Sequence, residues 1–209
     1  MRHSPFHAET DEAVVRALIA ENPWATLVSH PPGGELVASH YPVLLDDESE
    51  NLAIVTHVGR PDEKLHRFGE AEMLLIIAGP HGYISPSWYV EGDTPVPTWN
   101  FSVAHCYGVA QILDAEENLR VLTRLVDHFE RHVENPVPLD QEFGAQLSKG
   151  TVGLRLPITR FVCKVKMSKD KDPVSQRRVL DALRSDGPYR NDALAEQMER
   201  ALEGRPAGD

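Results

Sequence analysis

Residues 25–45 read ATLVSHPPGGELVASHYPVLL, and this stretch contains the strongest indication of the fold. Its centre, Pro31-Pro32-Gly33-Gly34, combines two residue types that are typical of tight turns. The residues on either side form apolar, extended runs near 25–30 and 35–45. Two such runs joined by a turn predict an antiparallel hairpin, so we expect a fold in which neighbouring strands pair.

Similar runs recur through the rest of the chain. Further strands are predicted at residues 52–58, 73–78, 96–113, 151–158 and 161–167. We expect Gly79, Pro80 and Gly82 to end the strand at 73–78, and Gly108 to form a bulge in the strand at 96–113. The strands stand at hairpin spacing and do not alternate regularly with helices, which indicates a mostly antiparallel barrel or sheet.

Helical patterns fill the gaps and the C-terminal end. They are predicted at residues 10–22, 61–68, 116–133, 141–147, 174–184 and 192–203. The pattern at 116–133 is the strongest, because Leu122 and Leu125 belong to one apolar stripe. The last two helices should pack as a hairpin. We therefore expect a β-rich domain over residues 1–172 and a helical extension over 173–209 whose last six residues are disordered.

Charge and composition argue against several classes of function. The chain has 21 Lys and Arg against 32 Asp and Glu, a net charge of −11, which opposes direct attraction to nucleic acid or anionic membranes. No apolar run approaches the roughly 20 residues needed to cross a bilayer, and residues 1–10 lack the apolar core of a secretory signal. Cys106 and Cys163 lie in apolar segments, so we expect buried, reduced thiols and a cytoplasmic protein.

Common catalytic and metal-binding motifs are absent from the sequence. It contains no GxGxxG, GxxxxGK[ST] or GxSxG segment. His128 and His132 stand four residues apart on the strongest helix, but the segment reads HFERH rather than HExxH and no third ligand is indicated. We expect no metal site and assign no catalytic residue.

Positive charge is concentrated near the C-terminal strand of this acidic chain. Residues 160–178 carry seven Lys and Arg against Asp170 and Asp172, a local excess of five positive charges. Lys164 and Lys166 project from one face of the predicted strand, and two ammonium groups aimed at one place suit a phosphate. The alternative is a solvated edge strand on which lysine prevents pairing.

Two other segments have the chemistry of a binding site. In residues 56–61, THVGRP, a strand ends, a glycine follows and a helix begins, so free N–H groups with Arg60 and Lys64 suit a phosphate. On the strand at 96–113, Trp99 shares a face with other aromatic residues, and Asn100 lies on the opposite face. Apolar walls with a few polar groups suit a planar heteroaromatic ring, and a core aromatic cluster is the alternative.

Taken in order, several segments resemble one family. They are residues 25–45 above, 57–60 (HVGR), 79–89 (GPHGYISPSWY), 97–108 (PTWNFSVAHCYG), 152–154 (VGL) and 164–171 (KVKMSKDK). They resemble the PaiB family of FMN-binding negative transcriptional regulators, with agreement over about residues 1–172. The resemblance implies a split β-barrel of the pyridoxamine-phosphate-oxidase-like type with peripheral helices. It also implies a homodimer with FMN held at the subunit interface.

The resemblance further implies which residues contact FMN. They are Ser39, His40, Thr56, His57, Arg60, Lys64, Trp99, Asn100, Lys166 and Ser168. Positions 56–64 map to the phosphate and positions 39–40 to the flavin ring. Positions 99–100 map to the ring edge, and positions 166–168 to the phosphate or ribityl chain. Asp62 and Asp170 each add a carboxylate near the phosphate region, which predicts either weaker FMN binding or a different ligand.

The function that the resemblance implies is negative transcriptional regulation in response to flavin or redox state. No helix-turn-helix signature is present, and the acidic charge argues against direct DNA binding. One alternative is a flavin-dependent oxidoreductase that uses NAD(P)H, with His40 and His105 handling protons. Another is haem binding or degradation, which is known among split-barrel relatives.

Overall fold

The computed structural model describes residues 6–203, which divide into two compact units. Within residues 6–203, the first unit comprises residues 6–11, Ala78–Ala104 and residues 162–203. The second comprises Glu12–Ile77 and His105–Phe161. The predicted disordered tail lies outside the described residues, and the division at residue 172 stays a prediction.

Ten strands and six helices lie within residues 6–203. The strands are β1 (Ala8–Glu9), β2 (Trp24–Ser29), β3 (Val37–Pro42), β4 (Leu44–Leu45), β5 (Ala53–Gly59), β6 (Glu72–Ile84), β7 (Thr98–Val109), β8 (Gln111–Ile112), β9 (Thr151–Pro157) and β10 (Arg160–Lys166). The helices are α1 (Glu12–Glu21), α2 (Arg60–His66), α3 (Ala115–Glu130), α4 (Gln141–Ser148), α5 (Pro173–Arg184) and α6 (Asp192–Glu203).

The strands form two sheets, and the predicted hairpin lies at the edge of the larger one. The six-stranded sheet has the order β1-β10-β7-β6-β2-β3, and the four-stranded sheet has the order β4-β5-β9-β8. In the hairpin, β2 and β3 are antiparallel, with Trp24 opposite Pro42 and Ser29 opposite Val37. The prediction of a mostly antiparallel β fold with peripheral helices is confirmed.

Each unit has its own apolar core. In the second unit, α3 covers a cluster formed by Val55, Leu113, Val121 and Leu125. In the first unit, α5 and α6 form the predicted helical hairpin, and Leu183, Leu194 and Met198 are almost completely buried. Aspartate side chains cap three of the helices: Asp114 begins α3, Asp140 begins α4 and Asp172 begins α5.

The prediction that Gly79, Pro80 and Gly82 end the strand at 73–78 is wrong, because β6 continues to Ile84. Its pairing with β2 ends at Ile77, before Pro80. The missing N–H of Pro80 therefore removes no hydrogen bond between these two strands. Gly82 lies against α6: a Cβ there would be 2.9 Å from Leu194 Cδ2. Pro80 and Gly82 are therefore both compatible with an extended strand.

The single strand predicted at 96–113 is two strands in the structure. It is interrupted at Ala110, between β7 and β8, and β7 passes through Gly108. A Cβ at Gly108 would lie 2.0 Å from the Pro157 carbonyl oxygen, so this glycine permits a close backbone approach.

The short strand β1, with Ala8 opposite Lys164, was not predicted because two residues show no periodicity. Among residues 6–203, no helix has the length and apolar character needed to span a bilayer.

Candidate functional site

The β5–α2 junction in the second unit holds an arginine in a defined place. The Arg60 N–H donates to the Gly150 carbonyl at 3.1 Å, and Arg60 Nε donates to the Lys149 carbonyl at 2.7 Å. The Arg60 side chain remains 57% exposed, and its Nη1 lies 3.6 Å from Glu63. The base of the guanidinium is therefore fixed by the backbone, and its terminal nitrogens remain accessible.

A second cation lies one turn further along α2. Lys64 is exposed and four residues after Arg60, so the two side chains share one face of the helix. Within residues 6–203, Lys64 forms no ion pair. Asp62 lies on another side of α2, where its Oδ2 accepts a 2.7 Å hydrogen bond from the Tyr41 hydroxyl. The carboxylate that the sequence placed near the phosphate region is thus engaged elsewhere.

Thr56 and His57 point to opposite faces of β5. Thr56 is buried, and its hydroxyl donates to the Pro42 carbonyl at 2.6 Å, so it supports the strand from inside. His57 lies opposite Gly153, and its Nδ1 is buried without a hydrogen-bond partner among the described residues. Burial lowers the pKa of His57, so the ring is neutral at pH 7. Asn118 Oδ1, beside Gly153, likewise has no partner among residues 6–203.

Ser39 and His40 also separate, because successive residues of β3 face opposite sides. His40 is exposed; its Nδ1 is 3.0 Å from Thr26 Oγ1, and its ring stacks on Trp24. Ser39 Oγ instead lies 2.9 Å from His66 Nε2. His40 is therefore available to a ligand, whereas Ser39 belongs to an internal hydrogen-bond network.

The centre of that network is His66, which the sequence did not single out. Its side chain is 1% exposed, and its Nδ1 lies 2.7 Å from the hydroxyl of buried Ser29. The ring stacks on Phe68 at 5.2 Å and meets the edge of Tyr41. Burial lowers the pKa of His66 although Asp62 opposes the shift, so a neutral ring joins two hydroxyls. No periodicity in sequence marks such a residue, because its partners come from β2 and β3.

In the first unit, Trp99 and Asn100 lie on opposite faces of β7, as predicted. Trp99 is 54% exposed, whereas Asn100 is completely buried. Asn100 Nδ2 donates to Ser168 Oγ at 2.9 Å, and Ser168 is itself buried with a left-handed φ of 54°. Gln176 Nε2 donates to the Ser168 carbonyl at 3.1 Å. Asn100 and Ser168 therefore fix each other inside this unit.

The exposed side of the same sheet region combines aromatic rings and lysines. Trp99 lies 6.4 Å from His81 and 6.5 Å from Tyr83, and Lys164 lies 5.6 Å from the centre of the Phe101 ring. Lys166 Nζ donates to Thr98 Oγ1. Burial lowers the pKa of Lys166, and the nearby charges of Lys164 and Lys171 add to the shift. Asp170 is paired with Lys171 at 3.3 Å, so its charge is balanced locally.

Other candidates from the sequence have different surroundings. Among the residues that the structure describes, no three His, Cys, Asp or Glu side chains are grouped to hold a metal ion. His132 Nε2 accepts a hydrogen bond from Arg131 Nε at 3.0 Å. Cys106 and Cys163 are both buried thiols, as predicted, and burial raises the pKa of Cys163 to about 11. Burial lowers the pKa of His105.

The predicted cofactor residues divide between the two units. The second unit contains Ser39, His40, Thr56, His57, Arg60 and Lys64, and the first contains Trp99, Asn100, Lys166 and Ser168. Within the second unit, Arg60 and Lys64 meet on one helix face. Within the first, Asn100 and Ser168 meet in the interior, and Trp99 faces outward.

Residues 1–160 match the model of a family described as "Putative FMN-binding domain". The chain belongs to this family. It is 29% identical over 188 residues to the Bacillus subtilis protease synthase and sporulation protein PAI 2, covering 88% of this chain and 89% of that one. The resemblance to the PaiB family is thereby confirmed.

Solved structures confirm the fold. The FAD- and haem-binding protein from Mycobacterium smegmatis superposes with a TM-score of 0.59 at 16% identity, covering 81% of this chain and 78% of that one. The flavocytochrome Anf3 from Azotobacter vinelandii gives 0.61 at 16% identity, covering 79% and 72%. The chain is an FMN-binding split-barrel protein, as the sequence predicted.

Proposed function

We propose that Arg60 and Lys64 bind the phosphate of FMN. The observation that carries this proposal is the outward face of α2, where two cations one turn apart are exposed and Asp62 is turned toward Tyr41. A dianionic phosphate suits paired cationic donors, and the fixed Arg60 Nε leaves the terminal nitrogens for such a ligand. The donor set of this junction therefore fits the cofactor of the family.

The other predicted contacts have different roles in this proposal. His40 is an exposed polar residue of β3 and contacts the flavin ring, whereas Ser39 and Thr56 hold the strands in place through internal hydrogen bonds. His57 remains a proposed contact through the part-exposed side of its ring, which burial keeps neutral. In the first unit, Trp99 and Lys166 remain the proposed contacts.

Asn100 and Ser168 receive a positioning role. Their side chains are buried and bonded to each other, so they hold the strand that carries Trp99 and the turn that follows Lys166. They act on the cofactor through these neighbours rather than by direct contact.

When bound, FMN supplies one- and two-electron redox chemistry. The chain itself binds the phosphate with Arg60 and Lys64, and burial keeps the His57 ring on the preceding strand neutral. The proposed function is that of a cytoplasmic, homodimeric negative regulator of transcription that responds to FMN or to its redox state. The Bacillus relative, whose name refers to protease synthase and sporulation, supports this direction.

Regulation through a partner protein is favoured over direct DNA binding. The net charge of −11 repels a polyanion, and α5 and α6 use their apolar faces to pack against each other. A gel-shift experiment at physiological salt should show no complex with DNA at micromolar protein. A sequence-specific shift under these conditions would contradict this part of the proposal.

The test of the cofactor is an absorbance spectrum of the purified protein after incubation with FMN and gel filtration. We expect flavin absorbance to elute with the protein, at one FMN per chain. A flavin-free protein peak would overturn the proposal. Addition of NADH or NADPH then separates the functions: a flavin that stays oxidised supports the regulator, and bleaching with turnover supports the oxidoreductase.

A further inference from the structure

A cleft of about 570 Å³ lies in the second unit, and its lining contains none of the residues assigned to FMN. It is bounded by the end of α1 at Ala20, by β4 and by the last turns of α3. Small-molecule sites in proteins typically occupy roughly 300–1,000 Å³. The size of the cleft is therefore that of a site for a small metabolite.

The floor of the cleft is apolar and firmly supported. Val43 is completely buried, and Leu44 and Leu45 are half-buried. Leu44 packs on the apolar core cluster of the second unit, which α3 covers. An aliphatic group placed on this floor would displace water from a surface that is already rigid.

On one side of the cleft, the charges are already balanced. Arg124 Nη2 donates to the Leu45 carbonyl at 3.2 Å and to Asp47 Oδ2 at 3.1 Å. The buried carboxylate of Asp46 accepts a hydrogen bond from Arg155 Nε at 2.6 Å. These groups stabilise the loop after β4 and leave no net charge for a ligand.

On the other side, two opposite charges remain open. Asp127 and Arg131 both line the cleft and stand four residues apart, in the order that favours an ion pair on a helix. Within residues 6–203, however, their side chains form no such pair, and the Asp127 carboxylate has no partner. Arg131 uses Nε to bond His132, and its two terminal nitrogens stay available. Burial, followed by the charge of Arg131, lowers the pKa of His128, so this residue adds no charge at pH 7.

We propose that this cleft binds an aliphatic α-amino acid. Arg131 binds the carboxylate, Asp127 binds the ammonium group, and the side chain lies on the half-buried Leu44 and Leu45. A ligand with only one charge would leave either the aspartate or the arginine without a counterpart. The inference is independent of the flavin, since none of these residues belongs to the proposed FMN site.

The experiment is a calorimetric titration of the FMN-loaded protein with L-leucine. Two analogues, 4-methylpentanoate and isoamylamine, keep the aliphatic body but lack one charge each. We expect saturable binding of leucine at one site per chain, with a dissociation constant on the order of 1 mM or below. Each analogue should bind at least about tenfold more weakly. Absence of leucine binding up to about 10 mM, or equal binding of all three compounds, would overturn the proposal.

Two variants and two matched controls locate the site. Arg131→Gln and Asp127→Asn should each weaken leucine binding about tenfold or more while retaining FMN absorbance. Arg120→Gln and Glu116→Gln remove a 3.0 Å ion pair from the first turns of the same helix, outside the cleft, and should leave leucine affinity unchanged. Unchanged affinity in the first two variants, or an equal loss in the controls, would contradict the assignment.

Discussion

Asn100 and Arg60 belong to motifs that the family resemblance assigns to one cofactor, yet their surroundings are opposite. Asn100 is completely buried and bonded to Ser168 within the first unit. Arg60, in the second unit, is 57% exposed, and its backbone N–H and Nε hold it in place. The comparison shows that a polar motif residue can preserve the fold or bind the ligand. The burial of the residue and its hydrogen-bond partners decide between these two roles.

The largest effect that follows from this comparison is on stability. Asn100→Ala should lower the free energy of unfolding by about 3 kcal/mol, because it leaves the buried Ser168 hydroxyl without its partner and opens a cavity. Urea denaturation measures this change. The matched control is Trp99→Ala on the exposed face of the same strand, which should cost less than about half as much. Equal losses in the two variants would contradict the assigned difference.

The second effect is on FMN affinity. Arg60→Ala should weaken FMN binding about 30-fold, since it removes a charge-assisted contact with the phosphate. Its free energy of unfolding should change by less than about 1 kcal/mol, because the Glu63 pair and the hydrogen bond to the Lys149 carbonyl are both exposed. Quenching of flavin fluorescence gives the affinity, and His132→Ala serves as the control. An affinity unchanged by Arg60→Ala would place the phosphate elsewhere.

The smallest effect is on the pH dependence of stability. Burial lowers the pKa of His66 below its ordinary value of 6.5, so between these two pKa values the unfolded chain binds more protons than the folded one. The stability contributed by the neutral ring is therefore fully present above about pH 6.5 and is lost as the pH falls. Urea midpoints measured from pH 7.5 to 5 should decrease. His66→Gln should flatten part of this slope, and His132→Gln should not. An unchanged slope in His66→Gln would show that other groups produce it.

Much of the fold could be predicted from local patterns. The hairpin at 25–45 and the helix α3 have strong periodicity, and their turn and cap residues agree with it. The continuation of β6 could not be predicted, because Pro80 and Gly82 are turn residues in most contexts. Here they are accommodated by the end of the β2 pairing and by the close approach of Leu194.

The site was predictable in composition but not in arrangement. The cationic pair on α2 follows from helical spacing alone. His66 and Asn118 could not be found in this way, because their partners are distant in sequence and are brought close only by packing. For the same reason, the roles of Asn100 and Ser168 became clear only from their mutual hydrogen bond.

The most direct test of the account compares FMN with riboflavin, which has the same ring and ribityl chain but no phosphate. The protein should bind FMN at least about tenfold more tightly than riboflavin. The double variant Arg60→Ala/Lys64→Ala should bind both compounds with nearly equal affinity, while His132→Ala keeps the preference. A double variant that retains the full preference for FMN would show that these two cations do not bind the phosphate.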